Sequence, residues 1–238
     1  MVRKKGQLSL PKLVFQDQRL LVINKPFSWT VLYGSGQKTP LQCWLEKKAW
    51  FKKGRGVFKQ RSGIVHRLDK DTSGLLLVAK DLQMFESLQK AFASRQIKKE
   101  YLALVKGKIP QKGAINAPIQ RMRGKGRKWR VFPQGRESIT NYVRETTYHF
   151  QAKDYSLIRV EPLTGRTHQI RVHFKYLGFP LAGDPLYGGR NQFKIFSRLF
   201  LHASKLSFIH PATKKNRTIN SSLPARLKAI LTEIDAQN

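Results

Sequence analysis

The run His66-Arg67-Leu68-Asp69-Lys70-Asp71-Thr72-Ser73-Gly74 sets two carboxylates among cations. A carboxylate beside positive charge keeps a low pKa and stays ionised at neutral pH, which equips it as a nucleophile or base. Asp69 and Asp71 are two positions apart on one short segment. A carboxylate pair working on opposite sides of one glycosidic bond normally comes from separate elements, so this spacing favours a single acting carboxylate. The same residues also suit a plain turn, because Asp71, Thr72, Ser73 and Gly74 favour Asx-type loops. That reading leaves Arg67-Leu68-Asp69 unexplained. A second segment, Gly165-Arg-Thr-His-Gln-Ile-Arg-Val-His-Phe174, carries cations at helical spacing. On a helix Ile170, Phe174 and Leu177 form a buried stripe, while His168, Arg171 and Lys175 share another face. Such a helix is a rigid mount for the Arg171 guanidinium, or else a solvated basic face. A third, Lys98-Lys-Glu-Tyr-Leu-Ala103, puts Tyr101 in a strand, where it is either a ring offered to a ligand or an ordinary sheet residue.

The elements that must position these residues follow from pattern. Arg19 to Pro26 reads as a short buried strand ended by proline. Residues 27–63 read as irregular, with glycines at 34, 36, 54 and 56 around a short helix from Leu41 to Phe51. The polar loop 64–74 leads into an apolar strand, Leu75 to Ala79. Asp81 caps a helix running to about Ser94, with Leu82, Phe85, Leu88 and Phe92 on one face. Lys99 to Val105 reads as a strand. Residues 107–138, which include Gly-Lys-Gly-Arg-Lys-Trp-Arg at 124–130, read as a long basic hairpin or loop. Thr140–Phe150 and Tyr155–Glu161 read as paired strands, and Gly165–Leu177 as a helix closed by Gly178. Phe200–Ile209 reads as a strand and Leu223–Ile234 as a terminal helix. Strands outnumber helices and do not alternate with them, which points to an α+β fold with a mixed or antiparallel sheet.

Composition narrows the function classes. The chain has 238 residues, with 46 Lys and Arg against 14 Asp and Glu, for a net charge of +32. Acids are missing from 47–68, 101–136 and 185–232. Spread in this way among core residues, the charge makes a broad positive face rather than a tail, and nucleic acid is the expected partner. An anionic membrane surface would require a basic amphipathic helix with a wide apolar face, and none stands out. The single cysteine, Cys43, excludes an intrachain disulfide framework and a thiolate cluster. Gly34-Ser-Gly-Gln-Lys-Thr39 lacks the glycines of a phosphate loop, there is no Gly-x-Ser-x-Gly elbow, and the six histidines form no His-Glu-x-x-His. No apolar run approaches the length of a membrane span, and the basic start lacks the apolar region of a secretory signal, so a cytoplasmic location is expected.

Five blocks in order, HRLDKDTSGLLLVAK, KKEYLALVKG, GRTHQIRVHF, GDPLYG at 183–188 and LHASKLSFIHP at 201–211, resemble the RluA-type pseudouridine synthases. LVINKP at the start fits that family's opening strand, and the likeness covers about residues 12–212. The resemblance implies the pseudouridine synthase fold, a mixed, largely antiparallel sheet with flanking helices and a central cleft. It implies a catalytic domain over residues 12–238, a basic extension at 1–11, no S4-like module, and neither a metal nor an organic cofactor. It matches Asp69 to the catalytic aspartate, Tyr101 to the tyrosine that stacks on the target base, and Arg171 to the arginine that pairs with the catalytic carboxylate. Arg67 matches the arginine that enters the space left by the flipped nucleotide. His66, Arg166 and His168 are the further RNA contacts expected from the two motif blocks. The implied substrate is ribosomal or transfer RNA, with no membrane and no obligatory protein partner. Phe27-Ser-Trp-Thr-Val-Leu-Tyr33 and Arg136-Glu-Ser-Ile-Thr140 depart from the family pattern outside these blocks and bear on substrate choice. An inactive RNA-binding or ribosome-assembly protein on the same fold is the alternative, and the intact Asp69, Tyr101 and Arg171 set argues against it.

Overall fold

The computed structural model describes residues 9–32, 37–49, 51, 55–124, 128–189 and 195–236. Most of the basic N-terminal extension, the glycines at 34, 36 and 54, and residues 125–127 of the basic segment lie outside the described residues. In chain order the elements are β1 (Lys12–Gln16), β2 (Leu20–Lys25), α1 (Pro40–Glu46), α2 (Gly56–Gln60), β3 (Ser73–Ala79), α3 (Leu82–Ala93), β4 (Lys98–Lys106) and β5 (Lys112–Asn116). They continue with β6 (Ile119–Arg121), β7 (Trp129–Val131), β8 (Ile139–Phe150), β9 (Lys153–Pro162), α4 (Gln169–Tyr176), β10 (Leu201–Ile209), β11 (Asn216–Asn220) and α5 (Ala225–Asp235). The chain divides into two compact units, one of residues 1–96 and 209–221, the other of residues 97–208 and 222–238.

In the first unit β1, β2 and β3 pair antiparallel in that order. Leu20 to Ile23 and the whole of β3 are buried, as their unbroken apolar runs dictate. Asp81 caps α3 by accepting from the Met84 N–H at 2.9 Å, and Arg19 holds the same carboxylate through Nε and Nη2. Phe85 on α3 meets Phe58 of α2 edge to face, 6.0 Å between centroids. α1 begins with a reciprocal capping box between Thr39 and Gln42 and stops at Glu46, well short of the expected Phe51. The segment 209–221 returns to this unit: His210 donates from Nε2 to Asp17, because its Nδ1 accepts from the N–H groups of Ala212 and Thr213.

In the second unit β10, β4, β9, β8 and β5 form an antiparallel sheet in that order. α5 covers one face, with Leu227, Ile230 and Ile234 packed on Leu104, Tyr155 and Phe150. α4 covers the other, where its Phe174 meets Tyr142 edge to face at 5.4 Å. The basic segment forms the short hairpin β6–β7, rooted by Ile119 and Trp129 against Val172 of α4. Its Arg121, Arg123, Lys128 and Arg130 are exposed. This is the α+β architecture with a largely antiparallel sheet that the strand count implied. No helix among the described residues is long and apolar enough to cross a membrane.

Candidate active site

The loop carrying Asp69 is fixed at both of its flanks. His66 accepts the Leu77 N–H on Nε2 at 2.9 Å and lays its ring against Phe92, 4.6 Å between centroids. Leu68 is buried, and the Thr72 N–H closes a turn on the Asp69 carbonyl at 3.1 Å. Beneath it lies Lys25, whose side chain is wholly buried. An ammonium taken out of water must give its three N–H bonds to acceptors. Nζ of Lys25 donates to the carbonyls of Pro26 and Trp29, each at 3.0 Å, and of Lys70 at 3.1 Å. The end of β2 is thereby tied to the residue after Asp69. Asp69 itself is partly buried, and Arg67 is exposed.

In the second unit the helix after the loop Gly165–His168 starts four residues later than expected. His168 adopts the left-handed conformation (φ 56°), which no α-helix continues, so α4 begins at Gln169. His168 therefore does not share a helix face with Arg171. Its Nδ1 lies 2.9 Å from the Tyr187 hydroxyl, which also accepts the Trp129 N–H at 3.0 Å. The solvated basic face that the sequence left open as the alternative for this helix is reduced to Lys175, because Arg171 is buried. Gln169 through Phe174 are all buried, whereas Leu177, expected in the buried stripe, is exposed. The polar residues of α4 are buried because each is satisfied. Gln169 donates from Nε2 to Ile139 O and Thr140 Oγ1, and accepts from Thr164 Oγ1 and the Arg166 N–H. His173 faces the Ala117 carbonyl through Nε2 and Thr140 Oγ1 through Nδ1, both at 2.9 Å. A carbonyl only accepts, so Nε2 carries the proton and the Thr140 hydroxyl donates to Nδ1. Burial holds the His173 pKa below the usual histidine value, although the bond to Ala117 opposes this, in keeping with a neutral ring.

Arg171 is 2% exposed and Asp184 0%. The two meet as a fork: Nε donates to Oδ2 at 2.8 Å and Nη2 to Oδ1 at 2.7 Å. Asp184 Oδ1 also accepts from the N–H groups of Leu186 and Tyr187, at 2.8 and 3.1 Å. The guanidinium lies over the Tyr187 ring, 5.2 Å from its centroid. Charge, ring and backbone donors thus fix the direction of Arg171 before any substrate arrives. Gly183 makes the approach of this turn possible. It has φ +67°, and a Cβ there would stand 1.9 Å from the Arg198 carbonyl oxygen.

Tyr101 lies on β4, buried, opposite Val160 of β9. Val160 is in turn opposite Tyr142, so Tyr101 belongs to the sheet face that α4 covers. Arg166 precedes α4 and donates from Nε to the Glu137 carbonyl at 3.1 Å. The second unit therefore brings Tyr101, Arg166, His168 and Arg171 to one side of its sheet, and the first unit carries His66, Arg67 and Asp69 on the clamped loop. Lys25, Gln169, His173 and Asp184 escaped sequence reasoning as positioning residues. The signal for Asp184 was present in Gly-Asp-Pro-Leu-Tyr-Gly but carried no assigned role. No group of three or more His, Cys, Asp or Glu side chains among the described residues is arranged to hold a metal ion.

Residues 19–176 match the family described as RNA pseudouridylate synthase. An uncharacterized RNA pseudouridine synthase of Chloroflexus aurantiacus is 44% identical over 174 residues, covering 73% of this chain and 54% of that one. Ribosomal large subunit pseudouridine synthase D of Vibrio cholerae is 38% identical over 226 residues, covering 89% of this chain and 67% of that one. The chain thus spans from about half to two thirds of the length of these curated relatives. The solved structure of Human RNA Pseudouridylate Synthase Domain Containing 1 superposes with a TM-score of 0.70 at 26% identity, covering 98% of both chains.

Proposed function

The chain belongs to the RNA pseudouridylate synthase family, and from that premise we propose that it converts uridine in RNA to pseudouridine, with ribosomal RNA as the substrate. The relatives named as ribosomal large subunit enzymes support that choice of RNA. The observation that carries the reading is the Asp69 loop, whose backbone and flanks are held in place by Lys25, His66 and Leu68. The reaction breaks the N1–C1′ bond, turns the base and joins C5 to C1′, and the protein supplies groups for each stage.

A uridine inside folded RNA is hidden by stacking. Flipping it out costs a few kcal/mol, less in loops or mismatches. Phosphate contacts from the exposed cations of β6–β7 and the rest of the basic surface offset that. Arg67, exposed beside the loop, fills the vacated stack, and Tyr101 receives the uracil face. Asp69 then either attacks C1′ or removes the 2′ proton on the way to a glycal. Arg171, whose direction the Asp184 fork fixes, is the match to the arginine that pairs with the catalytic carboxylate in the family. Arg166 and His168 bind the RNA backbone from the loop before α4. His66 acts through the loop it anchors as well as toward RNA.

Asp69→Asn tests this directly. Tritium release from C5-labelled uridine in ribosomal RNA transcripts falls to background in that variant while RNA affinity stays within about threefold. Undiminished release would end the assignment of Asp69. Mapping pseudouridines in total RNA with and without the gene names the substrate, and an unchanged map would favour the inactive RNA-binding alternative.

A further inference from the structure

Lys99 differs from two other desolvated cations of this protein. The Lys25 ammonium rests on three carbonyls and the Arg171 guanidinium on a carboxylate. Lys99 has nothing comparable. It stands on β4 two residues before Tyr101, hence on the same face of the sheet. Among the described residues it makes no hydrogen bond and no ion pair, and burial, acting alone, pushes its pKa below the usual lysine value. Glu100, the nearest acid in sequence, points to the opposite face, where Lys205 and Arg159 hold it. Nζ of Lys99 lies instead against the loop before α4, 3.8 Å from where a Cβ on Gly165 would stand. The next residue on that loop is Arg166, a second cation.

A partly buried cation without a counter-charge destabilises the free protein. A ligand that supplied the counter-charge would relieve this, and the surroundings define it. It is anionic and compact, it lies beside a residue without a side chain, and the residue after that one is a second cation. It also sits next to the tyrosine assigned to the target base. We propose that Lys99 binds a backbone phosphate of the substrate RNA adjacent to the uridine received by Tyr101, with Gly165 leaving its approach open. The proposal deepens the pseudouridine synthase reading and rests on it for the identity of the anion.

The test compares Lys99→Gln and Lys99→Arg in the full chain, with a large-subunit ribosomal RNA transcript as the probe and binding measured over a salt series. Lys99→Gln should weaken binding about tenfold and lower the slope of log K against log salt by roughly 0.7–0.9, the share of one phosphate. Lys99→Arg should keep the slope. The thermal midpoint of Lys99→Gln should not fall, because the variant removes an unpaired charge. An unchanged salt slope, or unchanged affinity with turnover lost, would overturn the proposal. So would a lowered midpoint with an unchanged slope, which marks a structural lysine. A parent protein that forms no pseudouridine would end the functional reading instead, while the salt slope would still decide whether Lys99 meets a phosphate.

Discussion

Taking the charge from Asp184 would break the buried fork that orients the Arg171 guanidinium, in a site where both side chains are sealed from solvent. Removing one partner of a buried ion pair typically costs about 3–5 kcal/mol. Asp184→Asn should therefore lower stability by that order in urea denaturation. It should also reduce turnover more than RNA affinity, since Arg171 loses its fixed direction. A variant as stable and active as the parent would show that the fork does not position Arg171. Arg171→Lys should fare badly as well, because an ammonium cannot make the two parallel bonds of the guanidinium. The resemblance singled out Asp69, Tyr101 and Arg171 as the candidates for catalysis. What held Arg171 could not be read from the sequence, because its partner lies 13 residues away on a turn beyond the helix. Lys25 was hidden for a related reason. A lysine closing an apolar strand reads as a solvated end, and only the convergence of three carbonyls from two separate segments explains its burial.

Among the elements, strands were the easiest to foresee. β2, β3, β8 and β9 follow from apolar runs and alternation, and α3 from Asp81 and its apolar stripe. α4 was misjudged because periodicity assigns polar residues to solvent, whereas Gln169 and His173 are paid for by partners on β8 and at Ala117. That network makes the helix sensitive to acid. The pKa of His173 in the folded protein lies below its unfolded value of about 6.5. The unfolded chain thus takes up the proton first. The stability contributed by neutral His173 is complete above about pH 6.5 and is lost as pH falls from there toward the depressed folded value. The urea midpoint of the parent should drop between about pH 7 and pH 5. In His173→Gln, which keeps a donor and an acceptor but does not titrate, that drop should shrink. Equal drops in both proteins would place the acid sensitivity elsewhere.

For the molecule as a whole, the net charge of +32 understates the bias of the surface. More than half of the 14 acids are paired within the scaffold with an Arg, Lys or His. One run of such pairs, Lys205–Glu100 and Arg159–Glu145, neutralises part of the sheet face opposite Tyr101. With six to ten phosphate contacts on a duplex, RNA affinity should fall by about three to five decades between roughly 50 and 200 mM salt. A loss of less than tenfold in a filter-binding series would argue against a broad phosphate-binding surface. The division of the chain has a separate consequence, for synthesis. The bond between Asp17 and His210 joins residues 193 apart, and residues 209–221 complete a unit that otherwise ends at Gln96. A ribosome making this protein must release most of the polypeptide before either half can close. The earliest strands wait, partly unsealed, for the last segments to emerge, and a nascent chain stalled before residue 209 is a substrate for chaperones rather than a smaller working protein.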